Sequence, residues 1–224
     1  MTASQANIGR VSTSEALVSQ LKEMILLGTL PVGTRLTEVD IAERYGVSRQ
    51  SIRLAFSELS RLGLCEQRPH RGVWVRDLQP VDIEDLYWMR FVLESEAVAH
   101  VALEPVTWAR LERCVVRMER LTPASEWSEV ITADWAFHRE TVACLGSPRL
   151  SRAHDQLEGE TSLSFMRCAP DEDVTSVARL HRELLDVIRT GDSEAAVENL
   201  RRHLDISKRV VLDRRLDSAP GSTR

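Results

Sequence analysis

The sequence predicts a mostly α-helical chain in which only the N-terminal third contains strands. Apolar residues recur at helical spacing along nearly all of its 224 residues. The pattern changes to alternation only in residues 64–75. Short breakers with proline or glycine divide the rest into successive amphipathic segments. We therefore expect a small helical module that ends in a hairpin, followed by an all-α antiparallel helical bundle.

Three helices are predicted in the N-terminal module. The first has an apolar face over residues 17–25 and breaks at Gly28. The second follows Thr37, a candidate N-cap, and closes at Gly46. A short turn then leads into the third helix, for which Ser48 is a candidate N-cap. This arrangement has helix-turn-helix spacing.

The third helix, within GVSRQSIRLAFSELSRLGL (residues 46–64), has one face suited to a core. Its apolar residues recur at i, i+3, i+4, i+7 and i+10: Ile52, Ala55, Phe56, Leu59 and Leu62. Arg49, Gln50 and Arg53 are therefore expected on the exposed side of its first turns. The next segment, LCEQRPHRGVWV, alternates around a Pro-His-Arg-Gly turn, as a two-stranded hairpin does. Three helices and a hairpin predict a winged helix-turn-helix.

A winged helix-turn-helix places its reading helix in the major groove of DNA. Arg49 and Arg53 can each donate a fork to guanine or clamp a phosphate, and Gln50 can face adenine. Arg35 is predicted in the turn before the second helix, and the wing tip supplies a histidine, an arginine and a glycine that permits close approach. Seven residues are thus candidates for DNA contact: Arg35, Arg49, Gln50, Arg53, His70, Arg71 and Gly72.

Charge is divided unevenly along the chain. Residues 1–77 hold ten Lys or Arg against eight Asp or Glu, giving +2, and the remainder holds 19 against 26, giving −7. A small cationic module joined to an acidic one agrees with this division. The alternative is that the arginines form an ordinary solvated helix face, but this does not explain the basic wing that follows them.

From Pro80 onward the chain is predicted to be entirely helical. The expected helices lie near 82–103, 106–121, 127–145, 149–168, 173–190 and 193–216. The predicted domains are a DNA-binding domain at 1–77, a helical domain at 78–216 and a disordered tail at 217–224. No apolar run reaches the roughly 18 residues of a membrane span, and the first residues lack the apolar core of a signal peptide. A cytoplasmic protein without a membrane partner is expected.

Four side chains of the bundle are candidate metal ligands: Asp134, His138, His181 and His203. Asp134 and His138 are four residues apart on one helix and project from the same side. His181 and His203 each lie eleven residues from Asp192, at the turn of a predicted helical hairpin, and so about 16 Å from it. Antiparallel packing would set both imidazoles at the same level, on or beside the apolar faces.

Three imidazoles and one carboxylate inside a bundle form a site for a borderline divalent ion, namely Zn²⁺, Ni²⁺ or Mn²⁺. Coordination positions would remain for an outside ligand. The alternative is that each histidine makes an ordinary hydrogen bond within the core, since helices often produce level matching by coincidence. The residues alone leave both interpretations open.

The N-terminal residues also carry a family resemblance, over residues 14–76. The segment GTRLTEVDIAERYGVSRQSIRLAFSELSRLGLCEQRPHRGVWV resembles the DNA-binding domain of the GntR family of bacterial transcription regulators. The resemblance implies DNA contacts from four residues: Arg35, Arg49, Arg53 and Gly72. The chain has Gln-Ser-Ile at residues 50–52, where the family commonly has proline and valine. The resemblance therefore implies the docking mode but leaves base preference open.

Residues 80–216 resemble the all-helical FCD effector domain of the FadR-type branch of that family. That domain contains Asp-x-x-x-His followed by two later histidines, and the four candidate ligands fill these positions. The resemblance further implies that Arg90 binds an effector carboxylate and that the protein is a homodimer on a palindromic operator. For Arg90 the alternative is an ordinary helix pair with Glu94.

The sequence thus predicts a sequence-specific DNA-binding transcription repressor of bacterial metabolic genes, controlled by a small carboxylate effector at a metal site, and not an enzyme. Two alternatives belong to other classes. A metal-dependent hydrolase would use the Asp/His site to activate water, but no separate general base stands near the ligands. An architectural DNA-binding protein would use its helical part only to dimerise and would bind neither metal nor effector.

Overall fold

The structure of the protein is a computed structural model that describes residues 12–68, 71–166, 168 and 173–217. The chain divides into two compact units, with the division between Arg76 and Asp77. Each unit has buried apolar residues of its own, and each is described by itself below.

In its described residues, the first unit contains three helices and three strands: α1 Thr13–Leu26, β1 Arg35–Leu36, α2 Glu38–Tyr45, α3 Arg49–Arg61, β2 Cys65–Arg68 and β3 Gly72–Val75. Two predicted N-caps are confirmed, because the Thr37 hydroxyl accepts from Asp40 N and the Ser48 hydroxyl accepts from Ser51 N. Gly46 closes α2 in the left-handed region, with φ 63°. The second and third helices therefore begin where local capping chemistry places them.

The wing is larger than the predicted two-stranded hairpin, because β1 adds a third strand. The strand order is β1-β3-β2, and all pairings are antiparallel, with Arg35 opposite Trp74 and Arg68 opposite Gly72. The prediction that Arg35 lies in a turn is therefore wrong, since Arg35 belongs to β1. A strand of two residues is too short to show an alternating pattern in the sequence.

The second unit contains seven helices among its described residues: α4 Pro80–Ala102, α5 Pro105–Glu119, α6 Trp127–Ala143, α7 Pro148–Asp155, α8 Glu158–Met166, α9 Val174–Ile188 and α10 Ser193–Asp217. The single helix predicted over 149–168 is wrong, because α7 and α8 are separated at Gln156 and Leu157. Six of the nine residues of α8 are buried and none is exposed. Its sequence therefore carries no amphipathic period that would distinguish it from α7.

The central helix of this unit is α6, which contacts α4, α5, α7, α8 and α9. Asp134 and His138 lie among its buried residues. The predicted hairpin of α9 and α10 turns at Gly191, and α10 also packs along α4. The interior between α4, α6, α9 and α10 is therefore where the candidate ligands meet.

The last helix extends to the start of the predicted tail. Asp217, which the sequence assigned to the tail, is the final residue of α10. Residues 218–224 lie outside the described part of the chain. In the part that the structure describes, no helix combines the length and the apolar character needed to cross a bilayer.

Candidate DNA-reading surface and metal centre

The exposed side of α3 carries the predicted base-reading residues. Arg49, Gln50 and Arg53 lie in its first two turns and are exposed, while the opposite face buries its apolar residues. Arg71 and Gly72 are exposed on the wing. The side chains that the sequence assigned to DNA contact are therefore accessible at these five positions.

The sheet brings Arg35 to the wing glycine. Gly72 has φ 92°, and a Cβ built on it would lie 3.6 Å from Arg35 Nε. Glycine is favoured here by the backbone conformation, while the Arg35 guanidinium lies at ordinary contact distance. The remaining predicted contact, His70, lies outside the described residues.

A groove of about 410 Å³ lies between α3 and the wing, and Glu38, Arg53 and Gly72 are among its lining residues. Glu38 holds Arg53 in this groove, since Arg53 Nε donates to Glu38 Oε1 at 2.7 Å. That hydrogen bond lowers the pKa of Glu38 and keeps the carboxylate ionised. Sequence reasoning missed Glu38, because only the packing of α2 on α3 brings two residues so far apart in the chain together.

Three imidazoles converge inside the second unit. His138 Nε2 lies 3.2 Å from His181 Nε2 and 3.2 Å from His203 Nε2. Asp134 Oδ1 lies 3.3 Å from His181 Nε2, and all four side chains are buried. The three histidines predicted as ligands, from α6, α9 and α10, are therefore brought together, and Asp134 lies beside His181.

Hydrogen-bond acceptors at Nδ1 determine where the imidazole protons of His138 and His181 lie. His138 Nδ1 is 2.7 Å from a Glu94 carboxylate oxygen, and His181 Nδ1 is 2.8 Å from the Val177 carbonyl oxygen. Both partners only accept, so each Nδ1 carries a proton, and in its neutral form each ring presents a bare lone pair at Nε2. Two lone pairs facing each other at 3.2 Å form no hydrogen bond, and a cation between them removes the conflict. Nitrogens that bind one ion at about 2.1 Å each stand roughly 3 Å apart, so the residues fit a metal.

The surroundings favour neutral rings. Burial lowers the pKa of His181 to about 4, against the opposing effect of the Asp134 charge. Burial, together with the neighbouring His181 and His138 rings, lowers the pKa of His203 well below its ordinary value. Neutral imidazole is the form that binds metal ions, so these shifts agree with the geometry.

Glu94 connects the cluster to Arg90 and to a fourth imidazole. Its carboxylate accepts from Arg90 Nε at 3.0 Å and from His138 Nδ1 at 2.7 Å, and it lies 3.1 Å from His154 Nε2. Burial alone would raise the pKa of Glu94, but its contacts with His138 and with the Arg90 guanidinium, and its bond to His154, hold it well below its usual value. A carboxylate behind a metal-ligating histidine orients its ring. Arg90 thus makes the alternative pair with Glu94, in the interior and not on the surface.

Three buried polar atoms near Glu94 have no hydrogen-bond partner among the described residues: Arg90 Nη2, Trp135 Nε1 and His154 Nδ1. The side chains that carry these atoms are neighbours. The Arg90 guanidinium is 5.4 Å from the Tyr87 ring centre and 5.9 Å from that of Trp135, which stacks on His154 at 4.4 Å. Unpartnered buried polar atoms are rare and mark places where a ligand or water binds. Sequence reasoning missed His154, because it lies in a segment whose pattern predicts one uninterrupted helix.

A small cavity adjoins Asp134, His181 and His203, with a volume of about 30 Å³. Its remaining lining comes largely from apolar residues of α9 and α10. This is room for roughly one or two water molecules. A ligand atom from outside the protein therefore has space beside the cluster.

Comparison with known proteins decides the family. Residues 13–75 match the family model for bacterial regulatory proteins of the gntR family, and residues 85–206 match the model for the FCD domain. The chain belongs to the GntR family. This GntR regulator is 29% identical to the "Probable D-xylose utilization operon transcriptional repressor" of Paenarthrobacter nicotinovorans, over 86% of the chain and 87% of that protein.

Two further similarities agree with the GntR assignment. The HTH-type transcriptional regulator BphR of Paraburkholderia xenovorans is 30% identical over 89% of this chain and 85% of its own length. A transcriptional regulator GntR from Rhodococcus sp. RHA1, solved by crystallography, superposes with a TM-score of 0.77 and 27% identity, over 96% of this chain and all of that one. The matched families and relatives are transcription regulators and not enzymes. The chain is therefore a DNA-binding transcription regulator, and the hydrolase alternative is not supported.

Proposed function

We propose that this GntR regulator is a cytoplasmic repressor whose binding to a palindromic operator is set by a small organic acid, held at a divalent metal centre in the second unit. The observation that carries the metal centre is the convergence of three buried Nε2 atoms, two of which face each other with bare lone pairs. The name of the Paenarthrobacter relative, a repressor, supports the direction of control.

The ion would be held by three imidazoles and one carboxylate: His138, His181, His203 and Asp134. This mixed nitrogen and oxygen set suits Zn²⁺, Ni²⁺ or Mn²⁺. When bound, the ion supplies a positive charge that attracts the carboxylate of an effector. Glu94 fixes the orientation of the His138 ring for this role.

The unpartnered atoms indicate the chemistry of the effector. Arg90 Nη2 and Trp135 Nε1 are donors without acceptors, and they suit the carboxylate and other oxygens of an organic acid. His154 Nδ1 is an acceptor when its Nε2 donates to Glu94, so the effector must also carry a donor. A hydroxycarboxylic acid satisfies both requirements, whereas a simple carboxylic acid leaves His154 Nδ1 unpaired.

The DNA contacts are proposed in two groups. Arg49, Gln50 and Arg53 would read base edges in the major groove, because they occupy the exposed first turns of the helix that this fold inserts there. Phosphates or the minor groove would be contacted by the wing and the neighbouring strand: Arg35, His70, Arg71 and Gly72.

Metal analysis combined with operator binding tests the proposal. The purified protein is expected to retain a stoichiometric divalent ion, and a chelator is expected to lower its thermal midpoint, because an ion that binds only the folded state stabilises it. A panel of hydroxycarboxylic acids should contain one that weakens operator binding, and the chelator should abolish that response. An absence of bound metal, with no acid altering DNA binding, would instead support the architectural alternative.

We further propose that the dimer forms through α4. Exposed apolar side chains recur on one face of this helix: Val81, Trp88, Met89 and Val92. Asp85 is exposed within this face, and Arg201, Lys208 and Asp205 lie beside Trp88 in a groove shared with α10. An exposed apolar face along one helix suits packing against the same face of a second copy turned through a two-fold axis. We therefore assign this surface to self-association.

Trp88→Glu is expected to convert the dimer to a monomer, because it places a charge in the middle of the apolar face. Trp88 is 65% exposed, so the substitution disturbs no core. The measurement is the mass in solution by light scattering. Val106→Glu is the matched control, since Val106 is 82% exposed on α5, and it should remain dimeric. A Trp88→Glu protein with the wild-type mass would exclude this face.

A further inference from the structure

Arg53, a proposed base-reading residue, does not project from α3 as a free guanidinium. Its Nε donates to Glu38 Oε1 at 2.7 Å, within the groove between α3 and the wing. We infer that Glu38 is a positioning residue that makes Arg53 a reader of guanine and not a clamp for phosphate. The inference rests on the proposed DNA contact of Arg53 and adds a residue to that interface.

The geometry of the bond decides which part of Arg53 remains for DNA. The guanidinium carries five N–H donors in a rigid planar fork. With Nε committed to Glu38, Nη1 and Nη2 remain at the exposed end of a side chain that is 69% exposed. This terminal pair matches the O6 and N7 acceptors of guanine. The bond also holds a long side chain in one orientation before DNA binds, which reduces the entropy lost on contact.

The charge of Glu38 acts differently on phosphates and on bases. A carboxylate in the groove repels phosphate, and an ion pair attracts phosphate less than a free guanidinium does. The hydrogen bonds to a guanine edge depend mainly on donor geometry, which the pairing preserves. Glu38 should therefore weaken binding to DNA in general and retain the preference for guanine.

A purely structural role explains the pair less well. Both side chains are partly or largely exposed, and surface ion pairs contribute little to stability. The start of α2 is already capped by Thr37, and α2 and α3 each bury apolar residues, among them Ile41 and Ile52. The fold of the first unit does not require a carboxylate at residue 38.

Selection of bound sequences from random duplex DNA tests the inference on the full chain. Arg53→Ala is expected to remove the preference for guanine at one position of the half-site. Glu38→Gln should reduce guanine enrichment at that same position about tenfold, and should raise affinity for random DNA with a steeper salt dependence, since the released Arg53 can then bind phosphate. In the Arg53→Ala background, Glu38→Gln should change no base preference.

Glu58→Gln is the matched control. Glu58 pairs with Arg61 at 2.6 Å at the other end of α3, so this variant removes the same charge and the same kind of ion pair. It should leave every base preference at the wild-type level. If Arg53→Ala alters no preference, the proposed contact of Arg53 fails, and the role of Glu38 fails with it. If Arg53→Ala removes the guanine preference but Glu38→Gln keeps it, or alters all positions equally, only the role of Glu38 is overturned.

Discussion

His203→Leu is expected to remove the divalent ion from this regulator while leaving its helices folded. The ring contributes one of the three converging Nε2 atoms, and its Nδ1 has no partner among the described residues, so the substitution breaks no other hydrogen bond. Leucine has a similar size and suits the buried position on α10. We expect metal content to fall to background and the chelator to have no remaining effect on the thermal midpoint. At a free ion concentration of about 100 Kd, the stabilisation lost is roughly 2.7 kcal/mol.

His100→Leu is the control for this substitution. His100 lies near the end of α4 in the same unit but is exposed, so the variant should retain both the ion and the response to chelator. Circular dichroism should show the same helix content in both proteins. A His203→Leu protein that keeps a full complement of metal would show that the three imidazoles are ordinary core histidines, the alternative that the sequence left open.

Much of the fold follows from local rules that one sequence contains. Thr37 and Ser48 cap their helices by accepting hydrogen bonds from a backbone N–H three residues later. Such contacts depend only on residues that are neighbours in the sequence. The predictions of secondary structure that were wrong concern segments whose hydrophobic pattern is short or absent. The strand at Arg35 has two residues, and α8 is buried on nearly all sides, so neither shows a period.

In the candidate site, too, only contacts that depend on local spacing could be predicted. Asp134 and His138 are one helical turn apart, and His181 and His203 are equally far from a turn. The resemblance to the FCD domain implied that the two pairs meet, while the alignment within each pair could be predicted from spacing. The contacts of Glu94 with two histidines could not, because they span 44 and 60 residues. These contacts depend on how α4 and α7 are rotated against α6, and a local sequence pattern does not predict that rotation. The bond between Glu38 and Arg53 is hidden for the same reason.

The double variant Arg49→Ala, Arg53→Ala is expected to lose operator recognition. Both residues are exposed in the first turns of α3, the part of a reading helix that meets base edges. Each bidentate contact to a base contributes about 1–3 kcal/mol of discrimination, so the loss of two should reduce the preference for operator over random DNA about a thousandfold. Titration of both duplexes at several salt concentrations measures this ratio. Metal content should stay at the wild-type level, because the proposed ligands belong to the other unit.

Arg44→Ala, Arg61→Ala is the control pair for this experiment. Both arginines are exposed in the same unit but lie in the last turns of α2 and α3, so the net charge changes equally. If these two arginines contribute only to the general attraction of DNA, the affinities for operator and for random duplex should fall by the same factor. The ratio of the two affinities should then stay unchanged. An unchanged ratio in the Arg49, Arg53 variant would instead show that α3 does not read bases. A changed ratio with intact metal separates the reading of DNA from the proposed sensing site, because each property then depends on residues that the other does not use.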